Sequence, residues 1–428
     1  MIRGWRSIAR QEFRRVSNVR LSRTPLRCGS TSATGLKDEP LRILFCGSDT
    51  FSSGCLSALY QYHRSSESNV ASIDVATGTD KRTGRGLRTI NTSPVKTLAL
   101  KYGLSIHQFD TFTGWKLPTR DGQTYINMVI AVSFGRLVPP RILNACRFGG
   151  LNVHPSLLPD LKGSTPIQHA ILYGYERTGV SVQTLHPSTF DEGQVLLQSP
   201  LDIRDHNHIG YLDLHCQLAK MGARELINVL RHRLYLIRDN ILAPEQPSTI
   251  RTAPKLSPES RHIDFQKVSS VIITRMARAF GRLWFSVIGK KQKGNTRTLR
   301  MIVEKDIRVV DLSEDDAPQW MLEEIGTGIP FKIANTGKSS TEQNHLYVRC
   351  ADGKYLCLSQ AILSGYNSDH AATLAKKAGL FDTDAVIEDK GISIHPLQKL
   401  PSDSHLDLGL ADLPWLASDP ATDALPHT

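Results

Sequence analysis

The apolar run at 41–46 (Leu-Arg-Ile-Leu-Phe-Cys), closed by Gly47-Ser48, has the pattern of a strand buried on both faces. The pattern predicts a helix over 50–62 and a second strand over 70–77. The polar, glycine-containing stretch 78–92 reads as a loop. Ser93-Pro94 opens another helix, with Ser as N-cap and Pro at the first helical position. Apolar runs at 126–132 and 151–154 predict two more strands, and over 183–203 two strands bracket a turn at Asp191. A helix over 211–230 closes this part of the chain. Short apolar strands alternating with helices predict a parallel sheet of the α/β class. Farther on, a helix over 266–280 precedes strand-like stretches near 284–288, 299–310, 345–350 and 354–362. That is a smaller, mostly β domain, read as a barrel. Residues 326–344 read as a long exposed loop, and no internal repeat is seen.

These patterns divide the 428 residues into five pieces. They are a leader (1–38), a first domain (39–237), a Pro-, Ser- and Thr-rich linker (238–262), a second domain (263–381) and a disordered tail (382–428). Charge sharpens the division. Residues 1–37 hold nine Lys/Arg and one acid, residues 382–428 hold two Lys/Arg and nine acids, and 251–308 carry 14 basic against 4 acidic side chains. A basic excess concentrated in one internal segment fits a polyanionic partner. The leader is rich in Arg, contains Ser and can form an amphipathic helix, which is the composition of a mitochondrial transit peptide; a basic RNA-binding arm is the competing reading. Seven scattered cysteines without a C-x-x-C pair argue against a disulfide framework or structural zinc. No apolar run approaches the roughly 18 residues of a membrane helix, so no membrane partner is expected.

The chemistry is concentrated at Asn152-Val-His154 and at Asp191-Glu192-Gly193. Residues two apart on a strand share a face, so Asn152 and His154 can converge. The proline- and glycine-containing loop after them, 155–168, suits a wall shaped around a ligand. An Asn amide can stabilise an oxyanion, a His can shuttle a proton, and an Asp can orient the imidazole. Together these groups are sufficient for acyl transfer to an amine. The chain lacks G-x-x-x-x-G-K-[ST], H-E-x-x-H and G-x-S-x-G, so phosphoryl transfer, zinc hydrolysis and serine hydrolysis lose their simplest signatures.

The run 152–159 (Asn-Val-His-Pro-Ser-Leu-Leu-Pro), with Gly163, Pro166-Ile167 and Asp191-Glu192-Gly193, resembles the signature of formyltransferases that use 10-formyltetrahydrofolate. The segment 80–86 (Asp-Lys-Arg-Thr-Gly-Arg-Gly), followed by Ser93-Pro94-Val95-Lys96, resembles the inserted loop of the methionyl-tRNA branch of that family. The resemblance implies a Rossmann-like formyltransferase domain followed by an open-barrel, OB-like domain. It implies Asn152, His154 and Asp191 as the catalytic group. Ser156, Leu157, Leu158 and Pro159 would line the folate pocket with backbone near Phe134, Gly135 and Leu137. Arg85 would reach the aminoacyl end of the tRNA. Arg275, Arg278, Arg282, Lys290, Lys291 and Lys293 are the candidates for phosphate contacts. The expected enzyme is a monomer of the mitochondrial matrix that needs 10-formyltetrahydrofolate and no metal, and serves translation initiation on initiator methionyl-tRNA. Gln194 departs from the family pattern, which has a second acid there. The rival readings are a formyltransferase acting on a small amine, a formyltetrahydrofolate hydrolase, and a non-catalytic tRNA-binding protein on the same fold.

Overall fold

Strand β1 (Leu41–Gly47) shows how the apolar run is used. Leu41, Ile43 and Phe45 enter one core and Leu44 and Cys46 the other, all fully buried. Alternate side chains of one central strand thus nucleate packing on both faces of a sheet. The computed structural model describes residues 39–120, 123–237, 249–292, 295–310, 331–334 and 345–378. The leader, the first half of the linker, most of 311–344 and the acidic tail lie outside the described residues.

In chain order, β1 leads to helix α1 (Thr50–His63) and then to β2 (Val70–Thr77). A hairpin of β3 (Lys81–Thr83) and β4 (Thr89–Asn91) interrupts the stretch read as loop, followed by α2 (Pro94–Tyr102) and β5 (Ser105–Gln108). A second small hairpin, β6 (Thr119–Arg120) with β7 (Gln123–Thr124), precedes β8 (Met128–Val132), α3 (Pro140–Leu143), β9 (Gly150–His154) and α4 (Pro166–Leu172). Then come β10 (Arg177–Thr184), β11 (Val195–Asp202) and the long helix α5 (Tyr211–Arg231). The main sheet has seven strands in the order β11-β10-β9-β8-β1-β2-β5. β5, β2, β1, β8 and β9 are parallel, while β10 and β11 extend the sheet antiparallel. The chain winds outward from β1 through β2 to β5 and returns to β8 on the other side. That reversal places a crevice at the carboxyl ends of β1 and β8, where open α/β sheets hold ligands.

Helix α2 is capped as its sequence predicts. Ser93 Oγ accepts the Lys96 N–H at 3.1 Å, Pro94 occupies the first turn, and Gly103 (φ 68°) closes the helix in the left-handed region. Asp49 caps α1 by a reciprocal box with Ser52.

The second sheet is antiparallel throughout. It is entered from α6 (Ser270–Phe280) and contains β12 (Leu283–Gln292), β13 (Asn295–Val310), β14 (Phe331–Ala334), β15 (His345–Arg349), β16 (Tyr355–Leu363) and β17 (Ser368–His370), closed by α7 (Ala371–Lys377). Its path is β12-β13-β16-β15-β14, with β17 on β16. β14 lies inside the stretch read as an exposed loop, because its short apolar register is set only by pairing with β15. The linker reading also changes. Its described residues are docked, with Thr252 bridging in parallel to Lys162 and His262 to Trp284. The described residues from Leu41 onward belong to one unit. Among the described residues no helix is long and apolar enough to cross a membrane.

Burial holds His169, His215 and His262 below the ordinary imidazole range. The unfolded chain therefore binds these protons first as pH falls through about 6.5, and the folded state is disfavoured. The thermal midpoint should drop between pH 7.5 and 5.5, and His169→Gln should flatten that dependence. A midpoint that stays constant over the interval would refute the assignment.

Candidate active site

Asn152 and His154 occupy the carboxyl end of β9, between Ala131 of β8 and the Ser181–Gln183 stretch of β10. Their spacing puts both on one carboxylate. Asn152 Nδ2 donates to Asp191 Oδ1 at 3.3 Å, and His154 Nδ1 lies 3.3 Å from the same oxygen. The other ring nitrogen, Nε2, faces the Leu161 carbonyl at 3.1 Å. Only a ring carrying both protons can donate to both acceptors; a neutral tautomer satisfies one. Asp191 is well shielded, with 9% of its side chain exposed, and Asp191 Oδ2 accepts the Gly163 N–H at 2.9 Å.

The turn that delivers Asp191 depends on local backbone geometry. Asp191 adopts φ 55°, a left-handed conformation that short polar side chains tolerate better than most. Two residues later, a Cβ on Gly193 would stand 1.6 Å from the Thr184 carbonyl oxygen, so only glycine fits. Gln194, the departure from the family pattern, closes the turn through its backbone. Its N–H donates to Thr184 Oγ1 at 2.9 Å and its carbonyl accepts the Thr184 N–H at 2.9 Å.

Gln183 was not anticipated from sequence. It is 1% exposed, pairs with Asn152 across β9 and β10, and donates from Nε2 to Asp191 Oδ1 at 3.3 Å. Its position 31 residues from Asn152 carries no local signal; only strand register brings the two together. Asp191 thus accepts two side-chain amides, one backbone N–H and the imidazole. A carboxylate so surrounded is fixed in place and can orient the ring beside it. Asn152 keeps a second N–H for a developing oxyanion.

With this geometry in view, comparison with known proteins is direct. Residues 41–230 match the formyl transferase family. A Saccharomyces cerevisiae protein named methionyl-tRNA formyltransferase, mitochondrial, is 33% identical over 383 residues, covering 80% of this chain and 91% of its own length. The chain belongs to the methionyl-tRNA formyltransferase family. The Ehrlichia ruminantium methionyl-tRNA formyltransferase is 27% identical over 339 residues, covering 78% of this chain and 100% of that protein. Among solved structures, the N-formyltransferase from Helicobacter canadensis is similar at 14% identity and a TM-score of 0.44, with 74% of this chain and 98% of that chain covered.

The remaining residues of this formyltransferase singled out from sequence fall into three groups. In the loop after β9, Ser156 and Leu158 are buried and Leu157 and Pro159 half-buried. Ser156 Oγ donates to the Asp160 carbonyl at 2.7 Å, Ser181 Oγ to the Ser156 carbonyl at 2.7 Å, and the Leu158 N–H to Ser181 Oγ at 3.0 Å. The polar groups of Ser156 therefore shape the loop from inside. After β8, Ser133 (φ 45°) and Gly135 (φ 67°) turn the chain, and Phe134 packs with Phe109 and Phe112 in the second core. Leu137 and Arg136 line a cavity of about 330 Å³ with Asp110, Thr111, Phe112, Thr113, Pro139 and Arg141, none of which belongs to the Asn152–His154–Asp191 group.

The basic candidates need correction. Arg278 Nη1 donates to the carbonyls of His206 and Ile209 at 3.0 and 3.1 Å, which makes it a staple between α6 and the segment before α5. The Arg275 guanidinium is packed so closely on Gly174 that a Cβ there would meet it at 2.4 Å. Burial lowers the pKa of both arginines. Neither guanidinium is presented as an open phosphate contact, because α6 turns both towards α4 and the segment before α5. Arg282 pairs with Glu304 at 2.6 Å. Lys290 and Lys291 lie on β12, and Lys293 lies outside the described residues. Arg85 opens a one-turn 3-10 helix at the tip of the β3–β4 hairpin, between Gly84 (φ 78°) and Gly86 (φ 71°).

Substitution at the two turn glycines should separate strain from collision. Gly135→Ala has open space around its Cβ and should lose only about 1 kcal/mol through its positive φ. Gly193→Ala must move the Thr184 backbone and should lose more than about 3 kcal/mol. Urea unfolding of the two variants checks the order.

Proposed function

We propose that this protein transfers the formyl group of 10-formyltetrahydrofolate to the α-amine of initiator methionyl-tRNA. The observation that carries the reading is the convergence of Asn152 and His154 on the Asp191 carboxylate at the carboxyl edge of the sheet. The amine nitrogen attacks the formyl carbon, and the carbonyl oxygen becomes an oxyanion to which Asn152 Nδ2 donates. His154, held at Nδ1 by Asp191, moves a proton from the attacking amine towards N10 through Nε2, which exchanges the Leu161 carbonyl for the substrate in this step. Collapse breaks the bond from carbon to N10, leaving formyl-methionyl-tRNA and tetrahydrofolate. The folate pocket comprises the 156–159 loop and the backbone at 134–137.

The β3–β4 hairpin bearing Arg85 serves the aminoacyl end of the tRNA. Its exposed Leu87 and Ile90, amid Lys81, Arg82 and Arg88, fit a surface that meets both bases and phosphates. The second sheet acts as an OB-like RNA platform. Arg282, Lys290, Lys291 and Lys293 remain its phosphate candidates, joined by Arg300, whose guanidinium lies 3.8 Å over Trp284. The Arg-rich residues 1–38 and the mitochondrial yeast relative support action in the mitochondrial matrix, in translation initiation.

Formyl transfer from 10-formyltetrahydrofolate to initiator methionyl-tRNA tests the proposal. His154→Ala should lower kcat/KM by about 10²–10⁴-fold, and Asn152→Ala by about 10²–10³-fold. Arg85→Ala should fail mainly with tRNA. Folate binding without transfer to tRNA would redirect the reading to a small-amine acceptor, and retained activity in His154→Ala would remove the assigned mechanism.

A further inference from the structure

The two catalytic candidates on β9 and the 191 turn are held by backbone atoms of one short loop. Leu161 supplies the carbonyl facing His154 Nε2, and Gly163 the N–H on Asp191 Oδ2. Lys162, between them, forms an ion pair with Glu192 at 2.8 Å. Leu161 itself adopts φ 55°, so the loop is not in a conformation it would keep unaided.

The other side of that loop is covered by residues 251–254, in the second half of the linker. The Leu161 N–H donates to the Arg251 carbonyl at 2.8 Å, the Ala253 N–H to the Lys162 carbonyl at 2.7 Å, and the Thr165 N–H to the Ala253 carbonyl at 3.2 Å. Thr165 Oγ1 donates to the Pro254 carbonyl at 2.6 Å. The contact is close enough that a Cβ on Gly163 would meet the Ala253 carbonyl oxygen at 2.3 Å. A segment remote in sequence thus backs the loop strand-fashion, directly behind the atoms that hold His154 and Asp191.

Asp160 joins the two. It is 7% exposed, accepts the Arg251 N–H on Oδ1 at 2.8 Å, and accepts the Tyr175 hydroxyl on Oδ2 at 2.8 Å. The Arg251 guanidinium lies over the rings of Tyr173 and Tyr175, 4.7 and 5.9 Å from their centroids. Burial, reinforced by the bond to Asp160, pushes the Tyr175 hydroxyl above its ordinary pKa, so it remains a donor. Nothing in the formyl-transfer chemistry requires a buried carboxylate here, and its only polar partners among these contacts are the linker backbone and that tyrosine.

Resting on the formyl-transfer reading above, we infer that Asp160 is a positioning residue. By fastening Arg251 and its neighbours to the 160–165 loop, it sets where Leu161 and Gly163 hold His154 and Asp191. The docked part of the linker, residues 251–254, is therefore part of the catalytic apparatus, although it touches neither reacting group. A displacement of about 1 Å in a catalytic group can cost about 10²-fold in rate. Loosening the fastening should therefore act on kcat rather than on binding.

The test compares full-length protein with its Asp160→Ala, Asp160→Asn and Tyr175→Phe variants. Formyl transfer is measured at varied folate and varied tRNA, with kcat expressed per folded molecule from a parallel melting curve. Asp160→Ala should lose about 10- to 100-fold in kcat with both KM values within about threefold of the parent. Asp160→Asn, whose amide oxygen can still accept the Arg251 N–H, should recover most of that loss. Tyr175→Phe should fall between, and the pH profile of kcat should move in Asp160→Ala but not in Asp160→Asn. If kcat per folded molecule is unchanged in Asp160→Ala and Tyr175→Phe while their melting midpoints fall, Asp160 is a structural carboxylate only and the inference is overturned. Should Asp160→Ala fail to fold, Tyr175→Phe, which removes a single oxygen atom, decides by the same criterion. An inactive parent would instead sink the formyl-transfer reading, and the positioning role with it.

Discussion

The Asp191 carboxylate is the interaction on which the site depends. Three side chains from two strands, Asn152, His154 and Gln183, meet at Oδ1, while the loop N–H of Gly163 holds Oδ2. A buried carboxylate is stable only when its lone pairs are occupied, so each of these donors also serves the fold. The cost of enclosing the carboxylate is offset by the same groups that the proposed reaction needs in register. Stability and alignment therefore cannot be separated at this residue. The left-handed Asp191 and the crowded Gly193 are the backbone features that let a turn from the antiparallel edge reach over β9.

The same enclosure explains why the two sheets are not independent. The 160–165 loop is backed by residues 251–254, and α6 is stapled through Arg278 to carbonyls before α5. A guanidinium has five donors in a planar fork and can satisfy several carbonyls at once. On α6 that capacity serves packing, with Arg275 against Gly174 and Arg278 across the gap. The basic surplus of 251–308 is consequently divided. Part of it secures the second sheet to the first, and part of it, Arg300 over Trp284 among it, remains at the surface. Net charge along a segment does not distinguish these two uses.

The sequence by itself determined the layers and the nature of the chemistry. Apolar runs such as 41–46 and 126–132 form β1 and β8, Ser93-Pro94 caps α2, and the period of two along β9 puts Asn152 and His154 on one carboxylate. These features are legible because each is a local rule about neighbouring residues, whether the rule concerns sterics, capping or side-chain alternation. Only the tertiary structure decided which distant groups meet. Gln183 joins the site through strand register, Leu161 and Gly163 hold it through loop backbone, and Asp160 links it to Arg251 across 91 residues. The β14 strand and the docked linker became visible for the same reason, as did the inward turn of Arg275 and Arg278. A hydrogen bond to a backbone carbonyl leaves no residue-type signature, and packing chooses which face of a helix is buried only once its neighbour is in place.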